Sequence, residues 1–143
     1  MEPRGQVVKA IALIRRQRDG ALLVAEAASP SGAVFHRPLG GHVEFGEYAL
    51  EAVQREFREE IGQVLTSVHL TGVLENIFEW DGATRHEIVF IFTAAFADEA
   101  AYEISEQPIR DARGKVRVIW RLPEMASPPL YPVGVTDVAL LRR

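Results

Sequence analysis

The chain has 143 residues, no cysteine, and 20 acidic against 16 basic side chains, for a formal net charge of −4. Its length predicts one domain spanning residues 1–143, able to bury about two thirds of its unfolded surface without covalent staples. The lack of cysteine excludes disulfides, thiolate metal sites and cysteine nucleophiles, and the acidic balance argues against nucleic acid or an anionic membrane as partner.

The first ten residues, MEPRGQVVKA, have neither the basic start nor the long apolar stretch of a signal peptide. No apolar run approaches the ~18 residues of a membrane span, so a cytoplasmic setting is expected. Val7 to Ile14 is a β-branched and aliphatic run that predicts a strand, and Ala21 to Ala25 predicts a second. Arg18-Asp19-Gly20 predicts a hairpin between them, since Asp19-Gly20 suits the positive φ angles of a tight turn. Ser29-Pro30-Ser31-Gly32 predicts a mobile loop over Glu26 to Ala33. Phe35 and His36 lead into Arg37-Pro38-Leu39-Gly40-Gly41, where paired glycines let the backbone approach a ligand closely. Val43 and Phe45 are spaced for a short strand, and Gly46-Glu47 is expected to open a helix.

Along that helix, at 100° per residue, Leu50, Val53, Phe57 and Ile61 fall within about 80° of one another and form an apolar stripe. Glu56 and Glu60 border the stripe and Glu59 lies a little further round, so three carboxylates converge where the helix meets the body of the protein. A like-charge pair at this spacing costs ~0.2–0.5 kcal/mol even when solvated, and more if partly buried. A divalent cation is the natural compensation, and hard oxygen ligands suit Mg²⁺ or Mn²⁺. Glu47, in the first turn, would favour the positive end of the helix dipole, and Arg55 is spaced to pair with Glu51 and Glu59.

Gly41, five residues, Glu47, seven residues, then Arg55-Glu56-Phe57-Arg58-Glu59-Glu60-Ile61-Gly62 resembles the Nudix box, the loop–helix motif of the Nudix hydrolases. The resemblance is specific over Pro38 to Val64. It departs at Gln63, where the family usually has an aliphatic residue, and at Phe57, where an aliphatic is commoner. What it implies is an α/β fold, the Nudix α/β/α sandwich with a mixed β-sheet, and hydrolysis of a nucleoside diphosphate linked to a further group X. It further implies that Glu47 holds Arg55 and that Arg55 orients the carboxylates without clamping substrate. Glu56 and Glu60 would be metal ligands, Glu59 a third ligand or one acting through a bound water, and Gly40 a ligand through its backbone carbonyl. The water-activating base would be Glu56 if it lies on the helix, and Glu87, Glu103 or Glu106 if it comes from the elements opposite. Many relatives dimerise, so a homodimer is an open expectation.

Beyond the helix, Val68 to Trp80 predicts a long strand with a bulge or bend at Gly72, and Asp81-Gly82 a second hairpin. His86 to Phe96 is apolar enough for a central strand covered on both faces. His86 and Glu87 at its start are substrate-contact candidates, Glu87 the better one because a carboxylate beside so apolar a run wants a partner. Ala97 to Gly114, with Asp98, Glu99, Glu103, Glu106 and Asp111, predicts a flexible acidic loop. Val116 to Trp120 predicts a strand, and Val135 to Leu141 a closing helix after a proline-rich stretch.

Phe35, Phe78, Trp80 and Tyr131 are candidate base-stacking surfaces, and Arg37 a candidate substrate contact. Without a further basic cluster for a long phosphate chain, a small-molecule diphosphate such as ADP-ribose or a nucleotide sugar is the expected substrate. The alternatives are a (d)NTP pyrophosphohydrolase and a non-catalytic nucleotide-binding module. The isomerase branch of the fold relies on a cysteine this chain lacks.

Overall fold

The computed structural model of the chain describes residues 5–110 and 116–140. Asp111, Leu141 and the first four residues, on which sequence expectations fell, lie outside the described residues. The elements run β1 (Val7–Leu13), β2 (Leu22–Ala28), β3 (Val34–Arg37), β4 (Leu39–His42), α1 (Ala49–Ile61), β5 (Leu65–Trp80), β6 (Ala83–Phe96), β7 (Glu106–Pro108), β8 (Arg117–Arg121) and α2 (Val135–Leu140). A short 3₁₀ helix, Glu99–Glu103, precedes β7.

The strands form two four-stranded sheets, ordered β4-β1-β6-β5 and β3-β2-β8-β7. The first is mixed, with β1 parallel to β6 and antiparallel to β4. The second is antiparallel throughout. Strand β1 shows why its sequence is apolar without alternation. Ala10 and Ala12 face the cluster built with Val53, Phe57 and Ile61 of α1 and Phe92 and Phe96 of β6. Ile11 and Leu13 face the opposite cluster, with Val89, Ile91 and Val135 of α2. A strand covered by a helix layer on each side has no wet face to mark with polar residues. The α/β/α arrangement inferred from the Nudix resemblance is therefore the one observed, with the expected mixed sheet accompanied by a second, antiparallel one.

Several local expectations are corrected. The β1–β2 hairpin exists only at its turn, where Gly20 donates to Arg16 O at 2.7 Å and Arg15 bridges Leu22. Beyond it the strands diverge into separate sheets, β1 pairing with β4 and β6 and β2 with β3 and β8, while their side chains still share both core clusters. Strand β2 runs on to Ala28, leaving only a tight turn over residues 29–32 of the expected loop. Val43 and Phe45 are not in a strand; Glu44 to Glu47 make a turn closed by a 3.0 Å hydrogen bond, with Gly46 at φ +84°. The helix starts later than expected, at Tyr48-Ala49, where the Glu51 carboxylate accepts from the Tyr48 N–H at 2.9 Å. Leu50 is 44% exposed, and Ala52 takes its place beside Val53, Phe57 and Ile61 in the buried stripe. Burying each of the three larger side chains contributes roughly 1.5–3 kcal/mol. The expected acidic loop is partly ordered: Asp98 caps the 3₁₀ helix by accepting from the Ala100 N–H, and β7 follows.

The long strand, its turn and the central strand are as expected, with register shifts in β5 on either side of His69-Leu70 and positive φ at Asp81 and Gly82. Among the described residues no helix is long and apolar enough to cross a membrane.

Candidate active site

The turn before α1 and the helix itself meet through one arginine. Arg55 Nε donates to Glu47 Oε2 at 2.7 Å and Nη2 to Glu47 Oε1 at 3.0 Å, a two-pronged contact that only a guanidinium can make. Nη1 donates to Glu56 Oε1 at 2.9 Å and to Glu59 Oε1 at 3.2 Å, and Nη2 also reaches the His42 carbonyl at 3.0 Å. Arg55 is thus fully occupied in tying the loop to the helix. Its partner at the N-terminal end of the helix is Glu47 and not Glu51, whose carboxylate is spent on the helix start. The fork holds the Glu47 carboxyl down at about 2, helped by the backbone N–H of Glu44.

The two glycines answer to the protein's own interior. A Cβ on Gly41 would stand 2.6 Å from the Glu56 carboxylate, and one on Gly40, at φ +148°, would stand 2.1 Å from the Ala10 carbonyl oxygen. Any side chain at 41 would therefore displace Glu56, and any at 40 would push β4 off β1. The glycine that closes the motif, Gly62, caps α1 at φ +70° with its N–H on Arg58 O. That is a left-handed position where L side chains are strained.

Glu60 is the outlier of the cluster. Burial pushes its carboxyl up from 4.5 to about 7, opposed by the charge of Arg37 and the Gly40 N–H and reinforced by the charges of Glu56 and Glu59. Its Oε1 is buried without a hydrogen-bond partner among the described residues. An orphaned buried carboxylate oxygen costs on the order of 1–3 kcal/mol, so it marks a place built to receive something. Among the described residues no three acidic or histidine side chains are already gathered around one point, because Arg55 draws Glu56 and Glu59 toward itself. The donors on offer are all hard oxygens, which fit Mg²⁺ or Mn²⁺ and not a softer metal.

The other residues singled out from sequence divide by sheet face. Directly opposed residues share a face. Asn76 opposes Glu87, Phe78 opposes Arg85, and Trp80 opposes Ala83, so Phe78, Trp80 and Glu87 line one side of the β5–β6 ribbon. Phe35 of β3 meets that side, with its ring 5.6 Å from Trp80 and 5.8 Å from Tyr131. Glu87 is paired with Lys9 at 2.8 Å. His86 opposes Ile77, on the other face, and contacts Glu75 at 3.1 Å. Glu103 is held by Arg18 at 2.7 Å and Glu106 by Arg117 at 2.8 Å, both at exposed positions. The Arg37 side chain makes no hydrogen bond or ion pair among the described residues, while its charge acts on Glu60.

A model of the NUDIX domain matches residues 5–133. The chain belongs to the Nudix family. Nudix hydrolases act on nucleoside diphosphates linked to a further group and generally use divalent metal ions, and this chain is accordingly a pyrophosphohydrolase. Solved structures share its fold. A MutT NUDIX hydrolase from Burkholderia pseudomallei is 24% identical, with TM-score 0.68 over 97% of this chain and 98% of that one. The E. coli ORF135 protein is 22% identical, with TM-score 0.56 over 95% and 88%. A NUDIX hydrolase from Nitrosomonas europaea is 23% identical, with TM-score 0.59 over 82% and 73%. Among curated proteins no significant match is found.

Two buried residues had no signal in the sequence. His36 is fully buried and Arg121 nearly so, and they contact each other at 3.0 Å although 85 positions apart. Nothing local distinguishes a histidine in such a pair from one facing solvent.

Proposed function

We propose that this Nudix domain hydrolyses the diphosphate of an ADP-ribose or nucleotide-sugar type substrate in the cytoplasm, with Mg²⁺ or Mn²⁺. The observation that carries the choice is Arg37, a cation beside Glu60 with no side-chain partner among the described residues. One uncommitted cation suits a diphosphate better than a longer phosphate chain. The neighbouring Lys9 is already matched by Glu87.

In this reading Glu56, Glu59 and Glu60, with the Gly40 carbonyl, hold the divalent ion. When bound, it neutralises the non-bridging oxygens and lowers the pKa of the attacking water. Arg55, gripped by Glu47, sets the orientation of Glu56 and Glu59. Arg37 faces the phosphate beside Glu60. Glu56, within the carboxylate cluster on the helix, takes the proton of the attacking water, while Glu103 and Glu106 stand in exposed ion pairs with Arg18 and Arg117. Phe35 and Trp80, with Phe78 and Glu87 on the same side, form the wall against which the nucleoside lies. Stacking a base on an aromatic ring contributes ~1–3 kcal/mol. His86, turned to the opposite face, is left out of that wall.

A panel of ADP-ribose, nucleotide sugars and dNTPs with Mg²⁺ or Mn²⁺ tests the proposal. The expected result is the highest kcat/KM on an ADP-ribose type substrate. A dNTP leading by tenfold or more with pyrophosphate as product would overturn the substrate choice, and binding without turnover of any member would point to a nucleotide-binding module.

A further inference from the structure

Away from the carboxylates, a second polar group lies inside the protein. Arg121, at the end of β8, donates from Nη1 to His36 Nδ1 at 3.0 Å and to the Pro128 carbonyl, and from Nη2 to the Met125 carbonyl at 3.0 Å. A guanidinium only donates. His36 Nδ1 therefore accepts, and the ring proton sits on Nε2, which donates to Glu26 Oε2 at 2.9 Å. Glu26 is in turn held by Arg117 at 2.8 Å, and Arg117 by Glu106. The His36 backbone is clamped as well: its N–H donates to Pro129 O at 2.8 Å and its carbonyl accepts from the Tyr131 N–H at 2.9 Å. The stretch from Met125 to Tyr131 is thus laid along β3, pairing in parallel at Leu130 with His36.

The first part of that stretch is exposed, through residue 127, and its remaining anchor is Leu130, partly buried against the core cluster that holds Val24 and Val135. Its end carries Tyr131, 44% exposed, with its ring against Phe35 and so beside Trp80. Phe35 and Arg37 flank His36 on β3 and, by the strand's alternation, lie on the side opposite to its ring.

We propose that Arg121 and His36 are positioning residues for nucleoside recognition: a buried latch that pins the Met125–Tyr131 segment to β3 and so sets Tyr131 and Phe35 as the wall for the base. This rests on the nucleotide reading given under the proposed function. The latch touches neither the phosphates nor the carboxylates, so its loss acts on binding of the base and spares the chemical step.

The test uses Arg121→Lys, Tyr131→Ala and the double variant, made in wild type and in a Trp120→Phe background. The chain has two tryptophans, so that background leaves Trp80 as the only indole. AMP binding is read by Trp80 emission, and ADP-ribose hydrolysis by steady-state kinetics. Arg121→Lys keeps the charge but lacks the fork that spans His36 Nδ1 and two carbonyls. It is expected to raise the KM for ADP-ribose and the Kd for AMP by about tenfold, the loss of one weak stacking contact, with kcat within twofold of wild type. The KM for phosphoribosyl diphosphate, which has no base, is expected to stay unchanged.

Because Arg121 acts through Tyr131, the double variant should be no weaker than the worse single one. Additive losses, an unchanged Kd in Arg121→Lys, or a fall in kcat with KM unchanged would each overturn the latch. Should Arg121→Lys not fold, an unchanged AMP Kd in Tyr131→Ala overturns it alone. AMP binding that weakens as expected in a protein unable to hydrolyse ADP-ribose would retain the latch and reject the substrate choice.

Discussion

Two clusters in this protein are organised around arginine, and they differ in what they leave over. Running from the buried His36–Arg121 pair out to the surface, Arg117 and Arg121 face Glu26 and Glu106 with a neutral His36 between them, so the formal charges cancel. Along α1 and the turn before it, Arg55 and Arg37 face Glu47, Glu56, Glu59 and Glu60, and two negative charges remain when all four carboxyls are ionised. One oxygen of Glu60 is buried without a partner. A balanced network anchored on a buried pair fixes shape. A cluster kept short of cations and short of a hydrogen bond is poised for a ligand, at a standing cost to the empty protein.

The sharpest way to break that contrast is at Glu60. Glu60→Gln is expected to lower kcat by at least ~10² while the fold persists, because the proposed role of Glu60 is to hold the divalent ion whose charge stabilises the transition state. Circular dichroism checks the fold, and kinetics against Mg²⁺ concentration check the ligand role. Near wild-type activity in this variant would remove the helix carboxylates from the mechanism.

Arg55 comes next. Arg55→Ala is expected to cost ~10–100-fold in activity, the usual effect of losing a group that orients metal ligands, which is its proposed role toward Glu56 and Glu59. Arg55→Lys should recover little of it, since an ammonium cannot reproduce the fork onto both Glu47 oxygens. Full recovery by lysine would show that charge alone matters there.

A third test reads the cost of burying the Glu60 carboxylate. The Glu60 carboxyl is raised in the folded protein from 4.5 to about 7, chiefly by burial. Folding therefore favours its protonated form, and stability is lost as pH rises from 4.5 through 7. The metal-free protein should be less stable near pH 8 than near pH 5, by at most on the order of 3 kcal/mol, and should melt at a correspondingly lower temperature. Glu60→Gln or saturating Mg²⁺ should flatten that slope. Glu47 runs the other way: its carboxyl sits at about 2, so its contribution fades only in acid, as pH falls below 4.5. A metal-free melting temperature that rises from pH 5 to pH 8 would contradict the burial of Glu60.

What could be read from the chain follows the range of the interactions involved. Glu47, Arg55, Glu56, Glu59 and Glu60 lie within two turns of helix and one loop, so the motif they form is local, and the Arg55–Glu47 contact that the resemblance implied is present. The strands β1 and β6 were equally plain, because burial on both faces leaves an unbroken apolar run. Leu50 misled because helical periodicity does not say where the covering sheet ends; the stripe is apolar to its first turn, but the core beneath it begins at Ala52 and Val53. The parting of β1 from β2 into different sheets, and the meeting of His36 with Arg121, depend on contacts far apart in sequence. No local pattern carries either.

The smallest expected effect separates the helix from the loops as the source of the base. Glu103 and Glu106 were open candidates from sequence, and each is held in an exposed ion pair, with side chains 67% and 55% accessible. Such pairs contribute only ~0–1 kcal/mol, so Glu103→Gln and Glu106→Gln should leave melting temperature nearly unchanged. If the proton acceptor is Glu56, both variants should also keep kcat within about twofold of wild type and leave the shape of the pH–rate profile alone. Of the two, Glu106 is the more informative, because it also ends the chain of contacts that runs through Arg117 and Glu26 to His36. A modest rise in KM with kcat held constant would place its effect in that network. A hundredfold fall in kcat with loss of the acidic limb of the profile would instead make Glu106 the base and move the chemistry off the helix.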